Sequence, residues 1–138
     1  MFQRIVLILG SLVAGYVAYQ AFAAPETLLA EVGISTFGPD GRNEIRGQYG
    51  GFYSVVTLAL LLASFKVLPP RFGLGLLLVI IGGILLGRVS SVLIEGFDVW
   101  YEYSSSVKTF FVVDTVLTLL ALTGLLISHS GSKSSQSV

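Results

Sequence analysis

The sequence contains no cysteine and few charged residues, and each shortage excludes a class of protein. Without cysteine there are no disulfide bonds, thiolate-bound metals, iron–sulfur clusters or cysteine nucleophiles. Charged residues make up 12% of the chain, about half of the ~25% that is typical of soluble domains. Basic and acidic residues number eight each, so the zero net charge offers no basic surface to nucleic acid. With 54% hydrophobic residues, the composition indicates a protein whose solvent is lipid.

Histidine is almost absent as well, because the only one, His129, lies close to the end of the sequence. Haem and zinc sites need imidazole or thiolate ligands in suitable positions, and a serine nucleophile needs a base beside its hydroxyl. The sequence therefore predicts no cofactor, no metal site and no enzymatic activity.

Four apolar segments each approach the ~20 residues that cross a bilayer. Lipid offers the backbone no hydrogen-bond partners, so we expect each segment to be a helix. The sequence predicts an all-α polytopic membrane protein, a bundle of four transmembrane helices within residues 1–128, followed by a disordered tail at 129–138. The predicted helices cover residues 5–24, 48–65, 72–94 and 109–128.

The first apolar segment has a second interpretation. Arg4, the apolar run and Ala21-Phe22-Ala23 resemble a signal peptide with its cleavage site. Because the run is long enough to cross a bilayer, we expect it to be retained as a transmembrane helix.

The loops between these segments contain shorter features. Residues 25–32 fit either a short interfacial helix, with proline at its first position, or an irregular loop. Residues 38–41 have the composition of a turn. The last loop holds an aromatic cluster suited to the headgroup level of a membrane: Phe97, Trp100, Tyr101 and Tyr103.

The distribution of lysine and arginine predicts the orientation in the membrane. One side would carry Arg4, Lys66, Arg71 and Lys133, and all eight acidic residues would lie on the other side or in the helix halves nearest it. Cytoplasmic segments are enriched in lysine and arginine, so we expect both termini in the cytoplasm. The margin is modest, since the acidic side also holds Arg42, Arg46 and Lys108.

Small residues recur at helical spacing in two of the segments. Gly47 and Gly51 begin the second segment, and Gly83, Gly87 and Ser91 fall on one face of the third. Such spacing lets helices approach closely in a membrane. We expect it to serve packing within the bundle, and homodimerisation is the alternative.

Charges inside the apolar segments form the candidate site. Arg88 and Asp114 lie at similar depth in antiparallel helices, and an unpaired charge at the bilayer centre costs roughly 2.5–3.5 kcal/mol. We therefore expect them to face the bundle interior and each other. The predicted polar cluster, in the outer half of the bundle, comprises Glu44, Arg46, Arg88, Glu95 and Asp114. It fits an ion pair that fixes helix register, and the alternative is a pocket that binds a ligand headgroup or relays protons.

The residues around this cluster resemble a known family. Residues 43–51, Gly87-Arg88 late in the third helix and Glu95-Gly96 after it resemble the family catalogued as domain of unknown function 4345. Its members are small bacterial membrane proteins with four predicted helices, so the resemblance implies a location in the bacterial inner membrane. They are distantly similar to the DoxX-like membrane proteins, some of which accompany quinone-linked oxidoreductases. Glu95 departs from the family pattern, where aspartate is expected before the glycine.

Two functions remain open from the sequence. A non-catalytic accessory subunit would pack against other subunits of a respiratory or photosynthetic membrane complex, and the short loops without catalytic residues favour it. A lipid-, quinone- or small-molecule-binding or transport protein would instead use the polar cluster. An internal cavity that reaches Arg88 would favour binding, whereas a tight interior with a direct ion pair would favour the accessory subunit. In both cases the bilayer is a partner and nucleic acid is not.

Overall fold

The computed structural model describes residues 1–35 and 38–133, and every regular element among them is a helix. The prediction of an all-α protein is confirmed. In chain order the elements are α1 (Phe2–Ala23), α2 (Pro25–Ala30), α3 (Gly38–Ile45), a π-helical segment (Arg46–Gly51), α4 (Phe52–Ser64), α5 (Pro70–Glu95), α6 (Val99–Glu102) and α7 (Ser105–Lys133).

Three of the described helices are long and apolar enough to cross a membrane, namely α1, α5 and the part of α7 up to Ile127. The chain is therefore a helical membrane protein. The second predicted span divides between the π-helical segment and α4, which alone has 13 residues. A fourth crossing, by the predicted span over residues 48–65, stays a prediction.

The long helices pack as two antiparallel pairs, α1 with α4 and α5 with α7. The start of α1 meets the end of α4, where the Arg4 guanidinium lies 5.3 Å from the centre of the Phe65 ring. The start of α1 also meets the last turns of α7, since Gln3 Nε2 donates to the Gly124 carbonyl at 3.2 Å. We call this the basic end, because it carries Arg4, Lys66 and Arg71.

The opposite end, here called the acidic end, holds α2, α3 and α6. Two of its loops meet where Ser104 Oγ donates to the Glu31 carbonyl at 3.5 Å. The most deeply buried leucines lie toward the basic end, early in α1 and α5 and late in α4: Leu7, Leu60, Leu74 and Leu77. The most deeply buried part of the apolar core therefore lies in the basic half of the bundle. The polar groups of the acidic half lie at the edge of this core.

The π-helical segment follows from its glycine content. Arg46–Gly51 contains three glycines, and glycine both weakens an α-helix and tolerates unusual backbone geometry. The Phe52 amide donates to the Gly47 carbonyl, five residues back, as in a widened π-turn. A Cβ on Gly50 would lie 2.8 Å from Phe22 Cζ, so the absent side chain lets α1 approach this turn.

Several boundaries differ from those expected. Residues 38–41 form the first turn of α3 rather than a separate turn, because Pro39 suits an early helical position. Residues 25–30 form α2, the first of the two alternatives for that stretch. The last helix begins at Ser105 and continues to Lys133, beyond the predicted 109–128. Of the predicted tail, residues 134–138 lie outside the described residues.

The interpretation of the glycine spacing as internal packing is wrong for the third span. A Cβ added to Gly83 or Gly87 would meet nothing within 4 Å, so both glycines face outward. The same holds for Gly47. The close helix contact of α5 is made at Gly73, where a Cβ would lie 2.5 Å from the Ala63 Cβ. Spacing alone could not distinguish the two faces, because both carry glycine.

Candidate functional site

Arg88 and Asp114 form a direct ion pair between α5 and α7. Arg88 Nε donates to Asp114 Oδ2 at 2.8 Å, a length typical of a strong charge-assisted hydrogen bond. The Asp114 side chain is 10% exposed and that of Arg88 is 27% exposed. Arg88 precedes the end of α5 at Glu95 by about 10 Å at 1.5 Å per residue. The pair therefore lies within the apolar length of both helices.

Aromatic rings from two helices surround the pair. The Phe110 ring, one turn before Asp114, lies 5.6 Å from Arg88 Cζ. Tyr53 of α4 is near enough for the charges of Asp114 and Arg88 to act on its hydroxyl. Tyr53 itself stacks on Tyr49 with ring centres 6.4 Å apart. The Phe110 ring therefore adds a cation–π contact to the arginine of the pair.

Thr118, one turn after Asp114, has a buried hydroxyl. Its Oγ1 has no hydrogen-bond partner among the described residues. The hydroxyls of four other threonines donate to the carbonyl four residues earlier: Thr57, Thr109, Thr115 and Thr123. Its spacing of four residues places Thr118 on the same helix face as Asp114.

The other three residues of the predicted cluster lie apart from this pair. The Glu95 carboxylate accepts a hydrogen bond from Ser91 Oγ at 3.1 Å, and Ser91 also lies 3.3 Å from the Tyr103 hydroxyl. Glu44 is exposed, and Arg46 lines a different cavity. The structure thus brings together two of the five predicted residues and links none of the other three to them.

The cavity at Arg46 is a polar site at the acidic end, where the end of α1 meets α2 and α3. Its volume is about 290 Å³. On its rim Arg42 Nη1 lies 3.1 Å from Glu26 Oε1 in an ion pair. The lining residues are Ala23, Ala24, Pro25, Glu26, Thr27, Arg42 and Arg46. Sequence reasoning missed this site, because loop residues 16 positions apart have no periodicity that places them together.

An apolar groove of about 390 Å³ runs between α1 and α4. Two hydroxyls in its wall are already satisfied, because Ser54 Oγ donates to the Gly50 carbonyl at 2.8 Å and Thr57 Oγ1 to the Tyr53 carbonyl at 2.7 Å. The groove therefore presents hydrocarbon. It is lined by Gly15, Ala18, Tyr19, Phe22, Ser54, Thr57, Leu58 and Leu61.

These features define a helical membrane protein with an interhelical ion pair and, at its acidic end, a polar cavity. Within residues 1–35 and 38–133, no group of three or more histidine, cysteine, aspartate or glutamate residues could hold a metal ion. The chain belongs to the family described as Domain of unknown function (DUF4345), whose model matches residues 2–125. The predicted family is confirmed. Neither the curated proteins nor the solved structures contain a match.

Proposed function

We propose that this protein is a non-catalytic accessory subunit of a larger complex in the bacterial inner membrane. The observation that carries the proposal is the outward face of α5. Gly83 and Gly87 are exposed there with open space beyond them, and only 11% of the most apolar stretch of α5 is buried within the chain. Small residues on a transmembrane helix permit close approach of another helix. The proposed occupant of this face is a transmembrane helix of a different subunit.

The ion pair supports a structural role for the bundle interior. Arg88 and Asp114 engage each other directly, and neither residue lines the polar cavity or the apolar groove. An intramembrane ion pair of this kind fixes the register of two helices, because sliding either helix would separate two charges in a poorly solvating medium. A fixed α5–α7 unit would present the glycine face of α5 as a rigid docking surface.

The test uses the absence of cysteine from the natural chain. A single cysteine at Gly83, carrying a short photo-crosslinker, should form an adduct with a different membrane protein in native membranes. The matched position is Val116 on α7, which is also exposed and should form no such adduct. Gly83→Leu should release the same partner during gentle detergent purification, whereas Val116→Leu should retain it.

Two results would contradict this proposal. An adduct of twice the chain mass would mean that the α5 face binds a second copy. A folded Gly83 cysteine variant that gives no protein adduct would mean that lipid alone covers this face.

A further inference from the structure

We propose that the acidic end binds one anionic phospholipid, with its phosphate at Arg46 and an acyl chain in the groove between α1 and α4. This site is separate from the α5 face, so the test of lipid binding does not depend on whether the protein is an accessory subunit. It joins the polar cavity and the apolar groove into one binding site.

The charge balance of the polar cavity favours an anion. Glu26 and Arg42 neutralise each other in an ion pair of 3.1 Å. Arg46 adds a second guanidinium, and it forms no hydrogen bond or ion pair with any described residue. Glu26 is the only acidic residue in the lining. The cavity therefore has one uncompensated positive charge on a side chain whose planar fork matches a phosphate group.

The cavity and the groove lie next to each other along α1. Phe22 lines the groove and the next residue, Ala23, lines the cavity. From there the groove follows α1 back to Gly15, a distance of about 10 Å. Gly15 and Ala18 keep that wall shallow, and the satisfied hydroxyls of α4 leave only hydrocarbon on the other wall. An acyl chain matches this surface.

Arg46 lines the cavity and is the first residue of the π-helical segment, which leads into α4. From Arg46 the chain runs through this segment to Ser54, the first residue of α4 that lines the groove. Single π-turns within helices occur frequently at functional sites. The result is a guanidinium at the end of the helix and hydrocarbon below it, which is the order of headgroup and chain in a phospholipid. A free anion would need only the cavity, and a docked helix would not need the charge.

The headgroup is tested with the full chain in detergent, by native mass spectrometry and by thermal unfolding with added lipid. Phosphatidylglycerol should be retained and should raise the unfolding temperature more than phosphatidylcholine does. Arg46→Gln should weaken phosphatidylglycerol binding roughly tenfold, as for a lost charged hydrogen bond, and Arg46→Lys should lose less. Lys108→Gln is the matched control, because it removes one positive charge from the acidic end without touching the cavity.

The position of the acyl chain is tested by filling the groove. Ser54→Phe should abolish retention of phosphatidylglycerol, because the ring would occupy the acyl path. Val55→Phe adds the same ring at an adjacent position that is 69% exposed and outside the groove, and it should bind normally.

Each of three results would overturn the proposal. Glycerol phosphate binding as tightly as phosphatidylglycerol would make the cavity a free-anion site. Equal binding of the two lipids, or equal effects of Arg46→Gln and Lys108→Gln, would show that Arg46 recognises no headgroup. Equal effects of Ser54→Phe and Val55→Phe on phosphatidylglycerol retention would show that the groove holds no acyl chain.

Discussion

At the scale of single residues, Arg88 and Asp114 are tolerated in apolar helices because each supplies the other's counter-charge. The 2.8 Å contact compensates each group for the hydration that it loses on insertion into the membrane. Removing two charges from water is expensive, so such a pair adds little net stability relative to apolar residues. The larger penalty arises when one partner is missing. The pair therefore acts mainly as a constraint on how α5 and α7 align.

A double-mutant cycle measures this coupling. Arg88→Leu or Asp114→Leu alone should lower the free energy of unfolding by about 3–5 kcal/mol, because one buried charge stays unpaired. The double variant should recover much of that loss. Thermal unfolding in a single detergent gives the four values. Simply additive losses would show that the two residues are energetically independent, and Asp114→Asn, which keeps the shape, separates loss of charge from loss of packing.

The sequence was sufficient to place Arg88 and Asp114 at matching depth, because both lie in regular helices where position converts directly into distance. It could not place Glu44 and Arg46. Their positions depend on α3 and on the π-helical segment, which rests on the contact of Phe22 with Gly50 across two helices. Glu95 was expected beside Arg88 from its spacing, but its nearest partner is Ser91 on its own helix.

At the scale of elements, the glycines of α5 lie in two kinds of surroundings, buried at a helix contact or exposed. Gly73 lies where α5 crosses α1 and α4, with the Ala63 Cβ and Leu7 Cδ2 at 2.5 and 2.8 Å from a hypothetical Cβ. Gly83 and Gly87 lie further along α5, exposed and with nothing within 4 Å of a hypothetical Cβ. Contacts within the chain therefore require glycine at position 73. No contact with a described residue requires glycine at positions 83 and 87.

Matched alanine substitutions distinguish these two kinds of glycine. Gly73→Ala should lower the unfolding temperature, because overpacking typically costs about 1–3 kcal/mol and the Ala63 Cβ cannot rotate away. Gly83→Ala should leave that temperature unchanged or raise it, since alanine favours a helix over glycine by about 1 kcal/mol. Both variants are compared with the natural chain by thermal unfolding in detergent. Equal effects would contradict the assigned faces of α5.

At the scale of the whole molecule, length and hydropathy were enough to predict a helical membrane protein, and α1, α5 and α7 show why. Each is an uninterrupted apolar helix long enough to cross a bilayer. The predicted second span is less regular, because it begins within the π-helical segment Arg46–Gly51, which a 3.6-residue period does not describe. Its crossing must therefore be tested directly, together with the orientation that the basic residues predict.

Single cysteines in the cysteine-free chain test both points. With the acidic end outside, Ser35→Cys and Glu102→Cys should react with a membrane-impermeant maleimide in spheroplasts. Val67→Cys, between Lys66 and Arg71 at the basic end, should react only after the membrane is permeabilised. If residues 48–65 do not cross, Val67→Cys and Ser35→Cys will label together on one side. If all three positions show the reverse pattern, the basic end faces outward and the predicted orientation is wrong, although the crossing stands. The expected pattern follows because lysine and arginine near helix ends are retained in the cytoplasm.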